Sequence, residues 1–192
     1  MLPNLVNKRV ILGSASPRRS DLLRSMRIPF EVVVKPIEET YPDNLTPRQI
    51  VEYLARKKAA EFKNNMDSTD IVITADTIVS YNDNMLHKPL NKEDAIFMLK
   101  TLSGKQHEVI TGVSIMSGSK QVNFHAVTYV TFSDFTEGEI NYYVNNFEVL
   151  DKAGAYGIQD WIGLIGVKEI KGSYYNVVGL PTNKLFQHLK EF

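Results

Sequence analysis

The segment Ile71-Val72-Ile73-Thr74 limits the possible folds of this chain more than any other. A half-solvated strand alternates apolar and polar residues, and this run does not. It reads as a central strand covered on both faces. Covering both faces requires helices on each side, so the run points to an α/β layered fold. Candidate helices flank it. Ser16-Pro17 opens one, with Leu22, Leu23 and Met26 on its apolar face. Thr46-Pro47-Arg48-Gln49 is a capping box for a longer one, expected to reach about Lys63 with Ile50, Leu54 and Phe62 turned inward. Asn91 caps a third that stops at Ser103-Gly104, and Thr136-x-x-Glu139 caps a fourth ending near Asn145. A last helix starts at about Pro181. Further strands are expected at Arg9–Gly13, Glu31–Val34, Val109–Met116 and Gln121–Phe132, with a Ser-Gly-Ser turn joining the last two as a hairpin. Asn82-Asp83-Asn84 reads as a turn between two short strands. Ala153–Gly166 reads as an irregular Gly/Ala-rich stretch, followed by strands. Hairpins among alternating strands and helices predict a mixed sheet.

At 192 residues the chain has the size of one domain, 1–192, with room for two lobes. Lys+Arg and Asp+Glu are both 22, so no positive excess favours nucleic acid or membrane surfaces. There is no cysteine, which excludes a thiol nucleophile and cysteine-ligated metal centres. The N-terminal residues lack a secretory pattern, and no run approaches the ~18–20 apolar residues of a membrane span. The expectation is a cytoplasmic protein.

The chemistry-bearing residues begin at Gly13-Ser14-Ala15-Ser16-Pro17-Arg18-Arg19. With Ser16 as N-cap, Arg18 and Arg19 fall in the first helical turn, where cations oppose the macrodipole by about 0.3–1 kcal/mol each. Arg19 takes the position where a capping box prefers Glu or Gln. Helix N–H groups, two guanidinium forks and small hydroxyls make an oxyanion cradle. The alternative is that both arginines are solvated or paired with acids elsewhere. Asp76 follows the apolar strand, so its carboxylate is expected at a strand end, lining a crevice or capping a turn at Thr77. Glu38-Glu39 could add a hard oxygen ligand for Mg²⁺ or be solvated. Lys58 lies four residues from both Leu54 and Phe62 and so reaches inward more readily than Lys57. Lys88 is held extended by Pro89. The four histidines show no metal-binding spacing, and His107 and His125 read as structural. Nucleophile-elbow, Walker A and GxGxxG patterns are absent.

Together these pieces resemble the Maf family of nucleoside triphosphate pyrophosphatases. The matching motifs occur in order: SASPRRSDLL (Ser14–Leu23), IEET (Ile37–Thr40), LARKKA (Leu54–Ala59), ADTIV (Ala75–Val79), Lys88-Pro89, LSGKQHEVITGV (Leu102–Val113), DKAGAYGIQ (Asp151–Gln159) and GSYYNVVGLP (Gly172–Pro181). The resemblance implies an elongated, twisted mixed β-sheet flanked by helices, with two lobes and a central cleft, as in Maf and ITPase-like proteins. It implies hydrolysis between the α and β phosphates, a divalent cation (Mg²⁺ or Mn²⁺) and a homodimer. The AGAYGIQ form looks like the subgroup acting on dTTP and UTP, with some modified pyrimidine nucleotides. By the same resemblance Asp76 is the catalytic aspartate and, with Glu39, a metal ligand. Arg18, Thr77 and Gln159 match positions tied to substrate choice, and Ser14, Arg19, Lys58 and Lys88 match further active-site positions. Small Gly154, Ala155 and Gly157 would let a base approach the backbone, and the Gln159 amide matches a uracil or thymine edge. Two departures stand out: Asp160-Trp161 where glycine commonly follows Gln159, and His87 where Glu or Gly commonly precedes Lys88-Pro89. Asp160 adds an anion beside the expected base pocket. The competing readings are a pyrophosphatase for 7-methyl-GTP or non-standard purines, and a non-enzymatic regulator, since Maf proteins are associated with inhibition of septum formation.

Overall fold

The structure, a computed structural model, describes residues 2–192. Seven strands form one mixed sheet in the order β2-β1-β3-β5-β6-β7, with β4 also paired to β3. The strands are β1 (Arg9–Leu12), β2 (Glu31–Val32), β3 (Asp70–Tyr81), β4 (Asn84–Leu86), β5 (Gln106–Met116), β6 (Gln121–Phe132) and β7 (Val167–Lys171). β1 runs parallel to β2 and β3; β4 lies antiparallel to β3, and β7 to β6. The helices are α1 (Pro17–Ser25), α2 (Pro47–Ala60), α3 (Lys92–Leu102), α4 (Glu137–Asn146), α5 (Trp161–Gly166), α6 (Tyr174–Val178) and α7 (Thr182–Leu189). No helix among the described residues is long and apolar enough to cross a membrane.

The chain divides into two compact units. The first comprises the chain up to Asp76 with Thr111–Ala126 and Gly179–Phe192. Its centre is the apolar run of β3, and the run is covered on both faces, as its composition requires. On one face Ile71, Ile73 and Ala75 meet Leu23 of α1 and Leu185 and Leu189 of α7. On the other, Val72 meets Ala59 and Phe62 at the end of α2, and the Thr74 hydroxyl donates to the Ala55 carbonyl at 2.6 Å. Burying each such Leu or Ile contributes about 1.5–3 kcal/mol. The capping box at Thr46 and Gln49 forms as its spacing predicts, but α2 ends at Ala60 rather than near Lys63. Phe62 still turns inward, from beyond the helix end; a side chain at Gly13 would strike its ring at 3.0 Å. The helix stops early because the polar Lys63–Asn65 stretch is poor at extending it and closes a 3-10 turn instead.

The second unit comprises Thr77–Ile110 and Val127–Val178. Its core gathers Leu99 and Leu102 of α3, Phe132 of β6, Ile140 and Tyr143 of α4, and Tyr156. Helix α3 has the predicted bounds, with the Asn91 side chain accepting from Asp94 N–H. His107 is structural, as expected: it is buried, its Nε2 lies 2.8 Å from the Tyr156 hydroxyl, and burial pushes its imidazole down to about 4. The stretch read as irregular contains α5, and α6 follows where only strand was expected. Helix α5 depends on Gly163, where a Cβ would fall 1.9 Å from the Ile158 carbonyl oxygen. That close approach has no local signal in a segment as short and Gly-rich as WIGLIG.

Candidate active site

The parallel pairing of β1 with β3 ends at Leu12 and Ile73. At this carboxyl end the chain leaves β1 through Gly13-Ser14 and turns into α1, placing side chains where open α/β sheets bind ligands. Ser16 is the N-cap of α1 and Pro17 its first residue, but the Ser16 side chain makes no capping bond. Arg19 is drawn back across the turn. Its Nη1 donates to Ser14 Oγ at 3.1 Å and its Nε to the Gly179 carbonyl at 2.8 Å. Burial lowers the Arg19 guanidinium from its ordinary value. The Asp76 carboxylate opposes that shift, neighbouring Arg18 adds to it, and Glu39 opposes it. Arg19 therefore sits in the field of both acids that the sequence singles out.

Asp76 does not end its strand. β3 is 12 residues long and continues through Asp76, because Thr77-Ile78-Val79 is itself β-branched and strand-forming. Asp76 reaches an open edge because β1 stops short of it. Strand alternation puts Val72, Thr74 and Asp76 on the face that α2 covers. There Lys58 Nζ meets Asp76 Oδ1 at 2.6 Å and Glu39 Oε1 at 2.8 Å. The Lys58 and Asp76 side chains are only 16% and 11% exposed, whereas Glu39 is 51% exposed. A carboxylate as buried as Asp76 is costly unless paired, and the Lys58 ammonium supplies the pairing.

Lys57, set aside from the sequence in favour of Lys58, has a separate task. Its Nζ donates to the carbonyls of Glu38 and Thr40 at 2.7 and 3.1 Å and to Thr40 Oγ1 at 3.0 Å. It fastens the acidic loop on both sides of Glu39 and turns that carboxylate toward Lys58. Adjacent lysines on one helix turn thus hold the loop and the acids respectively.

The first unit therefore brings together Ser14, Arg18, Arg19, Glu39, Lys58 and Asp76. Thr77 is half-buried and, by alternation, points to the opposite face of β3, so it does not join Lys58. Lys88 and Gln159 belong to the second unit, and both are exposed. There the Gly154 N–H donates to the His87 carbonyl at 3.1 Å, tying the Lys88-Pro89 segment to the AGAYGIQ stretch. The small residues of that stretch are required by internal packing. A Cβ on Gly154 would meet Val79 at 2.9 Å, one on Gly157 would meet Asp160 Oδ2 at 2.4 Å, and Ala155 is fully buried. Nor is Asp160 a loose anion, because its Oδ2 accepts from the Tyr143 hydroxyl at 2.9 Å. The sequence carried one sign of Tyr143: Ile140, Tyr143, Val144 and Phe147 form an i, i+3, i+4, i+7 stripe that turns it inward.

No cluster of three or more His, Cys, Asp or Glu side chains that could hold a metal occurs among the described residues. The donors that do converge are the Glu39 and Asp76 carboxylates. Two hard carboxylate oxygens are too few for an all-protein cage, but they suit Mg²⁺, which keeps waters and takes substrate phosphates as its other ligands.

The family model described as "Maf-like protein" matches residues 9–192. The chain belongs to the Maf family. Maf relatives match it from end to end. The dTTP/UTP pyrophosphatase of Phocaeicola vulgatus is 50% identical over 192 residues, covering 100% of both chains. That of Parabacteroides distasonis is 49% identical with the same coverage. That of Christiangramia forsetii is 46% identical, over 97% of this chain and 95% of its own.

Proposed function

We propose that this Maf protein hydrolyses dTTP and UTP to the nucleoside monophosphate and pyrophosphate, removing such nucleotides from the cellular pool. The observation that carries the reading is the Asp76–Lys58–Glu39 cluster beside Arg19. It occurs in a chain half identical, over its full length, to a protein of that named activity.

The charges of the cluster are complementary to the substrate. Arg18, Arg19 and Lys58 face Glu39 and Asp76, leaving one positive charge in excess. A triphosphate brings roughly four negative charges, so a divalent cation narrows the mismatch. Glu39 and Asp76 are the residues that would hold it, and when bound it supplies Lewis-acid polarisation of the phosphoryl group. The chain's own groups do the rest. Ser14, Arg18 and Arg19 take the phosphate chain at the mouth of α1. Lys58 engages Asp76 Oδ1 and leaves Oδ2 to orient a water and accept its proton. The water oxygen bonds to the α-phosphorus as the bond from that phosphorus to the β-bridging oxygen breaks. The leaving pyrophosphate keeps its charge against the basic side chains. Within the second unit, the exposed Gln159 amide is complementary to the imide edge of uracil or thymine.

The test is a panel of dTTP, UTP, CTP, GTP and 7-methyl-GTP with Mg²⁺, assayed separately for pyrophosphate and for orthophosphate. The expected result is pyrophosphate from dTTP and UTP at the highest kcat/KM. A preference for 7-methyl-GTP reassigns the substrate, orthophosphate as product refutes attack at the α-phosphorus, and no release from any nucleotide refutes the activity.

A further inference from the structure

The segment Gly157–Asp160 is a closed turn. The Asp160 N–H donates to the Gly157 carbonyl at 3.0 Å, which puts Ile158 and Gln159 at its two central positions. Ile158 is buried in the core and Gln159 is exposed at the tip. Both ends of the turn are held by one atom. The Tyr143 hydroxyl accepts from the Gly157 N–H at 3.1 Å and donates to Asp160 Oδ2 at 2.9 Å. The Tyr143 side chain is fully buried and stacks at a tilt on Phe147 with ring centroids 5.0 Å apart. Lys152, also buried, closes the network from below. Its Nζ bonds Asp151 Oδ1 at 2.7 Å and the Glu148 carbonyl, and lies 3.7 Å from Asp160 Oδ2.

The orientation of Asp160 is informative. It is the N-cap of α5, a position where an aspartate side chain ordinarily accepts a helix N–H and contributes about 1 kcal/mol. It makes no such bond. The carboxylate turns to Tyr143 instead and lies over Gly157, where any Cβ would meet it at 2.4 Å. A capping bond is thus given up for a grip on the turn that carries Gln159.

We propose that Tyr143 and Asp160 form a clamp that positions Gln159 for base recognition, making both of them specificity-determining positioning residues. The proposal deepens the nucleotide reading above and rests on it. Burial raises the Tyr143 phenol above its ordinary value, so its hydroxyl stays a donor to Asp160 across the working pH range. An amide selects between bases only if its donor and acceptor arrive in register, and a site built for one edge rejects the other through unpaired polar groups. With the backbone fixed on both sides of Gln159, less chain freedom is lost when its amide meets the base, so the clamp favours the contact that the amide makes.

The experiment is a double-mutant cycle of Tyr143→Phe and Gln159→Ala, read as the ratio of kcat/KM for UTP to that for CTP. Gln159→Ala is expected to lower the ratio by about tenfold or more. Tyr143→Phe, which removes one shared hydroxyl, is expected to lower it by about five- to tenfold, mainly through a higher KM for UTP. The double variant is expected to fall no further than Gln159→Ala alone, because Tyr143 acts through Gln159. Asp160→Asn, which keeps an acceptor for the hydroxyl, is expected to retain most of the ratio, and Asp160→Leu, which keeps the bulk and removes the acceptor, to lose it. Should Tyr143→Phe fail to fold, Asp160→Leu takes its place in the cycle. A wild-type chain that prefers UTP, together with an unchanged ratio in Tyr143→Phe or additive losses in the double variant, overturns the clamp alone. A wild-type chain that releases pyrophosphate from neither nucleotide overturns the nucleotide reading, and the clamp's role with it.

Discussion

Two lysines in this molecule, Lys58 partly buried and Lys152 buried, each sit between a pair of acids. In the first unit Lys58 lies 2.6 Å from Asp76 and 2.8 Å from Glu39. In the second, Lys152 lies 2.7 Å from Asp151 and 3.7 Å from Asp160. The second set is closed. Lys152 also bonds the Glu148 carbonyl, and Asp160 takes the Tyr143 hydroxyl. The first set is open. Among the described residues Lys58 Nζ meets the Asp76 and Glu39 carboxylates, and Glu39 is half exposed on a loop. A network whose charges also bind backbone and hydroxyl groups cannot be rearranged without loss of structure. One held chiefly by mutually neutralising charges can exchange partners with an incoming ligand. The comparison teaches that a lysine between carboxylates is not itself a sign of catalysis; the remaining valences of the acids decide.

Lysine-to-methionine substitution should separate the two networks. Lys58→Met is expected to lower kcat/KM for UTP by about 10²–10³-fold, measured as initial rates of pyrophosphate release. Lys152→Met is expected to act on stability instead, costing about 1–3 kcal/mol by removing the buried ammonium from the Glu148 carbonyl and from the partly buried Asp160, measured by urea unfolding. Loss of stability in Lys58→Met with activity retained would erase the distinction.

His107 offers a pH test of the second unit. Its folded value, about 4, lies below its ordinary 6.5. The unfolded chain therefore binds the extra proton first as pH falls. The stability contributed by the neutral imidazole is complete above pH 6.5 and is lost as pH falls toward 4, about 3 kcal/mol in all. Between pH 7 and pH 4.5 the unfolding free energy of the wild type should fall relative to that of His107→Phe by about 2–3 kcal/mol, and a constant difference would contradict this.

The smallest effect concerns Arg18. A cation in the first turn of α1 opposes the helix dipole but also faces Glu39 and Asp76, so Arg18→Ala is expected to change unfolding free energy by no more than about 1 kcal/mol. The same change should raise KM for UTP well over tenfold. A kinetically unchanged variant would remove Arg18 from the cradle.

Much of this contrast was legible in the residue order, and the part that was not has a physical cause. Local rules govern caps and strands. The Asn91 and Thr136 caps and the bounds of Gln121–Phe132 follow from side chains within a few positions of each other. The unusual setting of Arg19 was legible for the same reason, since at the third position of α1 it breaks a capping rule. The exit of Asp76 was misread because the strand end that matters belongs to β1, a different strand. The Tyr143 grip joins residues 14 and 17 positions apart through a buried hydroxyl. No periodicity announces such a contact. Asp160 stood out only as an added charge, and its bond to the Tyr143 hydroxyl has no local signal. Helix α5 was missed because its six residues are too few to show a period.

The central claim is that the open network in the first unit performs the hydrolysis, with Asp76 receiving the proton from water. Asp76→Asn tests it most directly, because the amide keeps the shape and can still meet Lys58 through its oxygen. Single-turnover pyrophosphate release from UTP with Mg²⁺ should fall by about 10²-fold or more while the melting temperature changes little. Turnover within threefold of wild type, in a variant shown to be folded, would contradict it.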